Sequence, residues 1–163
     1  MFRGNVQTRL AKLESGVAEA TLLANAGLIR LGLADRAVGV LDTENFLPAP
    51  GQGAICIETR SDDRKIVELV QAINDEQTEL ALVAERAFLK ALDGSCRTPI
   101  AGLAEVDGSK ISFSGMVLSE DGNEVFETSD TCEANVQAAR KMGKKAGDFL
   151  RQQAGADFFH HWS

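Results

Sequence analysis

A lone thiol and a set of early arginines carry most of the chemistry available in this sequence. Cys96 lies in Leu92-Asp93-Gly94-Ser95-Cys96-Arg97-Thr98-Pro99-Ile100-Ala101, after a helix-like run that includes Glu85 and Arg86. A glycine stop followed by a short turn displays a side chain to a ligand while its flanks stay fixed. The helix C-terminus ahead of Cys96 opposes thiolate formation, whereas Arg97 beside it, and Arg86 if it folds back, favour it. Pro99 stiffens the exit from the turn. Residue chemistry alone leaves two readings open: a thiol that bears a ligand, or a small residue in a tight turn.

Cys56, Cys96 and Cys132 are odd in number, widely spaced and without a C-x-x-C pair. That pattern excludes a zinc ribbon and a disulfide framework, offers no metal site, and suits a reducing compartment. Residues 1–60 hold six cations against six anions, and the rest of the chain brings the net charge to −7. An acidic surface without a basic stripe disfavours nucleic acid, and no apolar run is long enough to span a membrane. A soluble cytoplasmic protein is the expectation. Five of the six early cations are arginines (Arg3, Arg9, Arg30, Arg36 and Arg60), the side chain best shaped to clamp carboxylates.

The elements that must position these groups follow from periodicity. Thr8 is expected to cap a short helix bearing Leu10 and Leu13 that stops at Gly16. Residues 20–24 read as a buried parallel strand, and residues 28–33 as a helix breaking near Gly32. Leu47-Pro48-Ala49-Pro50-Gly51-Gln52-Gly53 is a linker by composition. Residues 54–59 read as a strand with Cys56 buried inside it, and residues 62–73 as an amphipathic helix. Asn74, with Gln77 in capping-box position, is expected to start a helix with apolar residues from Leu80 to Leu92, ended by Gly94. Three strands follow, at 102–106, 110–118 and 123–131, with Asp107-Gly108 and Asp121-Gly122 as hairpin turns. A last helix spans 134–153. The fold class is α/β plus α+β, the second part a complete α-β-β-β-α domain with a three-stranded antiparallel sheet.

Four collinear motifs then carry a resemblance. They are Arg3-Gly4-Asn5-Val6-Gln7-Thr8-Arg9-Leu10, Ala26-Gly27-Leu28-Ile29-Arg30-Leu31-Gly32, Leu47-Pro48-Ala49-Pro50-Gly51-Gln52-Gly53, and Glu85-Arg86 with Gly94-Ser95-Cys96-Arg97-Thr98-Pro99-Ile100-Ala101. Together they resemble the C-terminal portion of the porphobilinogen deaminase (hydroxymethylbilane synthase) family. The resemblance implies that Cys96 anchors a dipyrromethane cofactor through a thioether. It implies a transferase of tetrapyrrole and haem biosynthesis that adds four porphobilinogen units with loss of ammonia. Arg3, Arg9 and Arg30 match family positions that bind the carboxylates of cofactor and substrate. Gln52, with Gly51 and Gly53, matches the hinge; Arg60 matches an arginine near the domain junction, or serves as a structural ion pair. Arg97 departs from the uncharged residue frequent in relatives.

The same resemblance divides the chain. Residues 1–53 are a partial α/β, periplasmic-binding-protein-like domain (the second half of domain 2) and the hinge. Residues 54–73 return to domain 1, 74–157 form the cofactor-anchoring domain, and 158–163 are a tail containing His160 and His161. The catalytic aspartate of the family has no counterpart here; Asp93 does not match its motif. The expectation is a part of the enzyme that is not competent alone. Leu22, Leu23, Leu28, Ile55 and Ile57 are expected to expose an apolar patch suited to the N-terminal half or to self-association. A non-enzymatic acidic α+β interaction module of the same ancestry is the alternative. A thiol redox protein is weaker, because Cys96 has no resolving partner.

Overall fold

Two hairpin turns lay down the sheet around which the C-terminal unit is built. In the computed structural model, which describes residues 2–94 and 98–159, β1 (Ile100–Asp107), β2 (Lys110–Leu118) and β3 (Val125–Glu133) form an antiparallel sheet in the order β1-β2-β3. Asp107 pairs with Lys110 across a two-residue turn in which Gly108 takes φ 58°, open to glycine without strain. The second connection is longer: Ser119 N–H donates to the Glu124 carbonyl at 2.9 Å, and the Asp121 carboxylate accepts from Ser119 and Asn123.

Alternation gives the sheet one apolar face. Ile111, Phe113 and Val117 are buried, while Ser112 and Ser114 lie on the other side. Helices α4 (Glu76–Ala91) and α5 (Val136–Ala154) cover the apolar face with Ala84, Phe88, Leu92, Ala139, Met142, Ala146 and Leu150. Gly102 of β1 pairs with Gly115 of β2, and the space they leave is filled by Phe88. A Cβ on Gly115 would lie 2.8 Å from Phe88 Cζ. Phe88 in turn meets Phe113 edge-on, with centroids 5.0 Å apart. Small residues likewise let the helices touch: a Cβ on Gly143 would lie 2.0 Å from the Ala84 carbonyl oxygen.

The chain divides between Asp42 and Thr43, so the 47–53 linker goes with the C-terminal unit. In the N-terminal unit, α1 (Val6–Glu14) is capped by Asn5, whose side chain accepts from Thr8 N–H, rather than by Thr8. Asn5 already occupies the extended position from which a side-chain oxygen can reach the first turn. Helix α2 (Asn25–Arg30) buries Leu28, a 3-10 turn spans Ala34–Arg36, and Arg36 pairs with Glu14.

Several expectations are corrected. Residues 20–24 and 54–59 form no strand: among the described residues the only strands are β1–β3, and a strand needs a lateral partner for its N–H and C=O groups. Cys56 is therefore exposed, not buried. Helix α3 (Arg64–Gln71) starts from Asp63, and α4 from Asp75 rather than Asn74, whose side chain donates to Glu79 instead. The left-handed residue closing α4 is Asp93 (φ 56°). Gly94 serves for close approach, since a Cβ there would lie 2.3 Å from Ile100 Cδ1. Phe158 and Phe159 are not a loose tail: they end α6 (Ala156–Phe159), and Phe158 packs edge-on against Phe126 at 5.3 Å. His160 and His161 lie outside the described residues.

Candidate functional site

Cys96 itself, with Ser95 and Arg97, lies outside the described residues; what the structure defines is the frame on either side. On the N-terminal flank, α4 delivers the chain to Gly94, whose N–H donates to the Leu89 carbonyl at 3.0 Å. On the C-terminal flank, Ile100 N–H donates to the Thr98 carbonyl at 2.8 Å, and Leu118 N–H to the Pro99 carbonyl at 3.0 Å. Both flanks are thus fixed by backbone bonds, and Leu92 and Ile100 are buried on the two sides.

The linker lies along β1. Gly102 N–H donates to the Pro48 carbonyl at 2.8 Å, on the strand edge that β2 does not use. Two residues further, Ala104 N–H donates to Glu85 Oε1 at 2.9 Å, while Glu85 Oε2 accepts from Gly51 N–H at 2.5 Å. Gly51 and Gly53 take φ 78° and 84°, a left-handed backbone that favours glycine, and between them Gln52 stands exposed. Burial raises the Glu85 pKa above its ordinary 4.5, partly opposed by the N–H groups of Ala104 and Gly51.

Glu85 is the residue whose role was missed in the sequence, although it belongs to a quoted motif. The signal was there: Leu82, Glu85, Leu89 and Leu92 are spaced three, four and three apart, so one carboxylate interrupts an otherwise apolar stripe.

In the N-terminal unit, Arg9 is half-buried, its Nε donating to the Gly4 carbonyl at 3.1 Å and Nη1 to the Leu22 carbonyl at 3.4 Å. That places its guanidinium beside the Arg3-Gly4 segment. Arg3 is exposed, and its carbonyl accepts from Lys12 Nζ at 2.6 Å. Arg30 is exposed at the end of α2. Arg60, also exposed, pairs with Asp63 at 3.3 Å, which favours its structural reading. Cys132 lies in β3 against the core, its pKa raised by burial first and then by Asp130 and Glu133, the opposite of a reactive thiol. A groove on the open sheet face is lined by Glu105, Ser112, Ser114, Met116 and Glu127. Its carboxylates are the wrong charge for an anionic ligand.

Comparison with known proteins adds two family matches. Residues 1–68 match the family described as porphobilinogen deaminase, dipyromethane cofactor binding domain, and residues 79–152 match porphobilinogen deaminase, C-terminal domain. The first span holds Arg3, Arg9, Arg30 and Gln52; the second holds Glu85 and Cys96. A porphobilinogen deaminase of Nitrobacter hamburgensis is 55% identical over 159 residues, covering 98% of this chain and 50% of that protein. Another, of Nitrobacter winogradskyi, is 55% identical over 158 residues, covering 97% and 49%. The chain spans about half the length of these curated relatives.

Proposed function

The chain belongs to the porphobilinogen deaminase family, and on that premise we propose that it supplies the cofactor anchor and part of the carboxylate clamp of a hydroxymethylbilane synthase. The observation that carries the reading is 55% identity over 159 residues, 98% of the chain. In this reading Cys96 holds a dipyrromethane through a thioether. A thiol is a soft nucleophile, suited to adding to a methylene-pyrrole electrophile, and a thioether is inert enough to persist through repeated turnover. Bound there, the dipyrromethane supplies the pyrrole terminus to which porphobilinogen units are joined, with loss of ammonia.

The donor set fits such a group. Pyrroles bearing acetate and propionate chains accumulate negative charge, and Arg3, Arg9 and Arg30 offer guanidinium groups for it. The Arg9 guanidinium is itself held through Nε and Nη1 by the Gly4 and Leu22 carbonyls, so less rotamer freedom is lost when its remaining N–H groups bind a carboxylate. Gln52, displayed between Gly51 and Gly53, is the hinge residue facing substrate. None of these residues is an acid or base placed to move a proton at a pyrrole nitrogen, so the catalytic carboxylate comes from the family's N-terminal half. That half is the proposed partner, and residues 20–24 and 54–59 are the segments that take strand partners in its α/β domains. The place of action is the cytoplasm.

Turnover tests the reading. These 163 residues alone should release no hydroxymethylbilane from porphobilinogen, and mixing with the N-terminal half of a Nitrobacter relative should produce it. Release by the chain alone, or none from the mixture when the relative's own two halves do complement each other, contradicts the proposal.

A further inference from the structure

We propose that Glu85 is a positioning residue that latches the Pro48-to-Gly51 segment onto the outer edge of β1. The functional consequence rests on reading residues 47–53 as the hinge: the latch holds the hinge against both elements that flank Cys96 in the chain.

Three observations support it. Among the described residues Glu85 is the only charged side chain in the buried class, at 6% exposure. Both of its oxygens accept from backbone N–H groups, of Gly51 and of Ala104, and these lie on two separate segments. Pro48 binds the same edge of β1 at Gly102, so the edge is covered by linker backbone at one position and by the carboxylate two residues on. An exposed strand edge recruits foreign strands, and this one is occupied.

The chemistry selects a carboxylate. Two N–H donors facing two oxygens require a group that only accepts; a glutamine would present its NH2 to one of them and leave that donor unpaired. Burying a carboxylate is costly, and the neighbouring positions Leu82, Leu89 and Leu92 show that an apolar residue suits this helix face. The charge is therefore explained by the linker. Gly51 has no side chain to bury and Gln52 and Gly53 are exposed, so packing does little to hold them; the bond from Gly51 N–H to a fixed carboxylate ties the segment down instead. Because Glu85 rides on α4, which precedes Cys96 in the chain, and Ala104 lies on the strand that follows it, one side chain ties the hinge to the elements on both sides of that residue.

The test is amide NMR on the labelled full chain. In the wild type the Gly51 and Ala104 amides should be protected from exchange, and their shifts should follow a single shared titration with an apparent pKa above 4.5. In Glu85→Gln, Gly51 or Ala104 protection should fall by about tenfold or more, while Ile111 and Phe113 in β2 keep theirs. A side chain serving the core alone would leave the Gly51 amide untouched. An unprotected Gly51 amide in the wild type, or Gly51 and Ala104 shifts that titrate independently, would overturn the latch. The wild-type measurement stands even if the variant fails to fold. Cofactor loading at Cys96 is scored separately: protected, co-titrating amides support the latch whether or not Cys96 is loaded.

Discussion

Glu85 makes a pH-dependent contribution to stability. Its pKa is raised in the folded chain above 4.5, with burial as the leading cause. A group whose folded pKa exceeds its unfolded value contributes stability that is full below the unfolded value and is lost as pH rises through the folded one. The stability of the wild type relative to Glu85→Gln should therefore fall as pH rises above 4.5 and then level off. Urea midpoints at half-unit pH steps would show it, and a relative stability that rises over the same window would contradict it. Gly115 gives a second test. A methyl group there meets Phe88 Cζ at 2.8 Å and Phe113 Cε1 at 2.9 Å, both on buried rings. Gly115→Ala should cost about 1–3 kcal/mol by overpacking, read by denaturant titration. The thiol and the arginines were legible because residue type alone points to them. Glu85 was legible only as an anomaly in a periodic stripe, since its partners Gly51 and Ala104 are 34 and 19 residues away.

At the scale of elements, the helix pair depends on small residues at the crossing. Cβ atoms on Gly143 and Gly147 would lie 2.0 Å from the Ala84 carbonyl oxygen and 2.6 Å from Ala91 Cβ. Neither neighbour is the far end of a flexible chain, so the helices must separate. Gly143→Ala should destabilise the unit by about 2 kcal/mol or more despite alanine's better helix propensity. A gain in the melting midpoint would contradict this packing. At the start of α5, Asn135 accepts from Ala138 N–H at 2.9 Å, and Asn135→Ala should cost about 1 kcal/mol. The sheet and both long helices were readable in the sequence because their signals are local: period-two alternation, Asp-Gly turns and an apolar stripe along α4. Residues 20–24 and 54–59 have strand composition, but whether they form strands depends on distant partners that composition does not encode. The caps failed by a few residues where two polar side chains compete, as with Asn5 and Thr8, or Asn74 and Asp75.

For the whole molecule, each of the two units shows apolar surface. Leu22 is exposed in the N-terminal unit; Ile55 (90%), Ile57, Leu69 and Ile73 are exposed in the other. Of the others expected with them, Leu28 is buried at 5% and Leu23 is half-buried. The chain should bind an apolar dye or self-associate, and should lose that binding on mixing with the family's N-terminal half. A monodisperse monomer with no dye signal would contradict this. Attachment of the cofactor at Cys96 is tested most directly by intact-mass analysis with peptide mapping. After the chain is mixed with the N-terminal half of a relative and supplied with hydroxymethylbilane and then porphobilinogen, so that two units are added, a four-ring product leaves and two rings remain, a dipyrromethane adduct should map to Cys96 and disappear in Cys96→Ser. An adduct on Cys56 or Cys132, or an unmodified Cys96 in a mixture that turns over porphobilinogen, would contradict it.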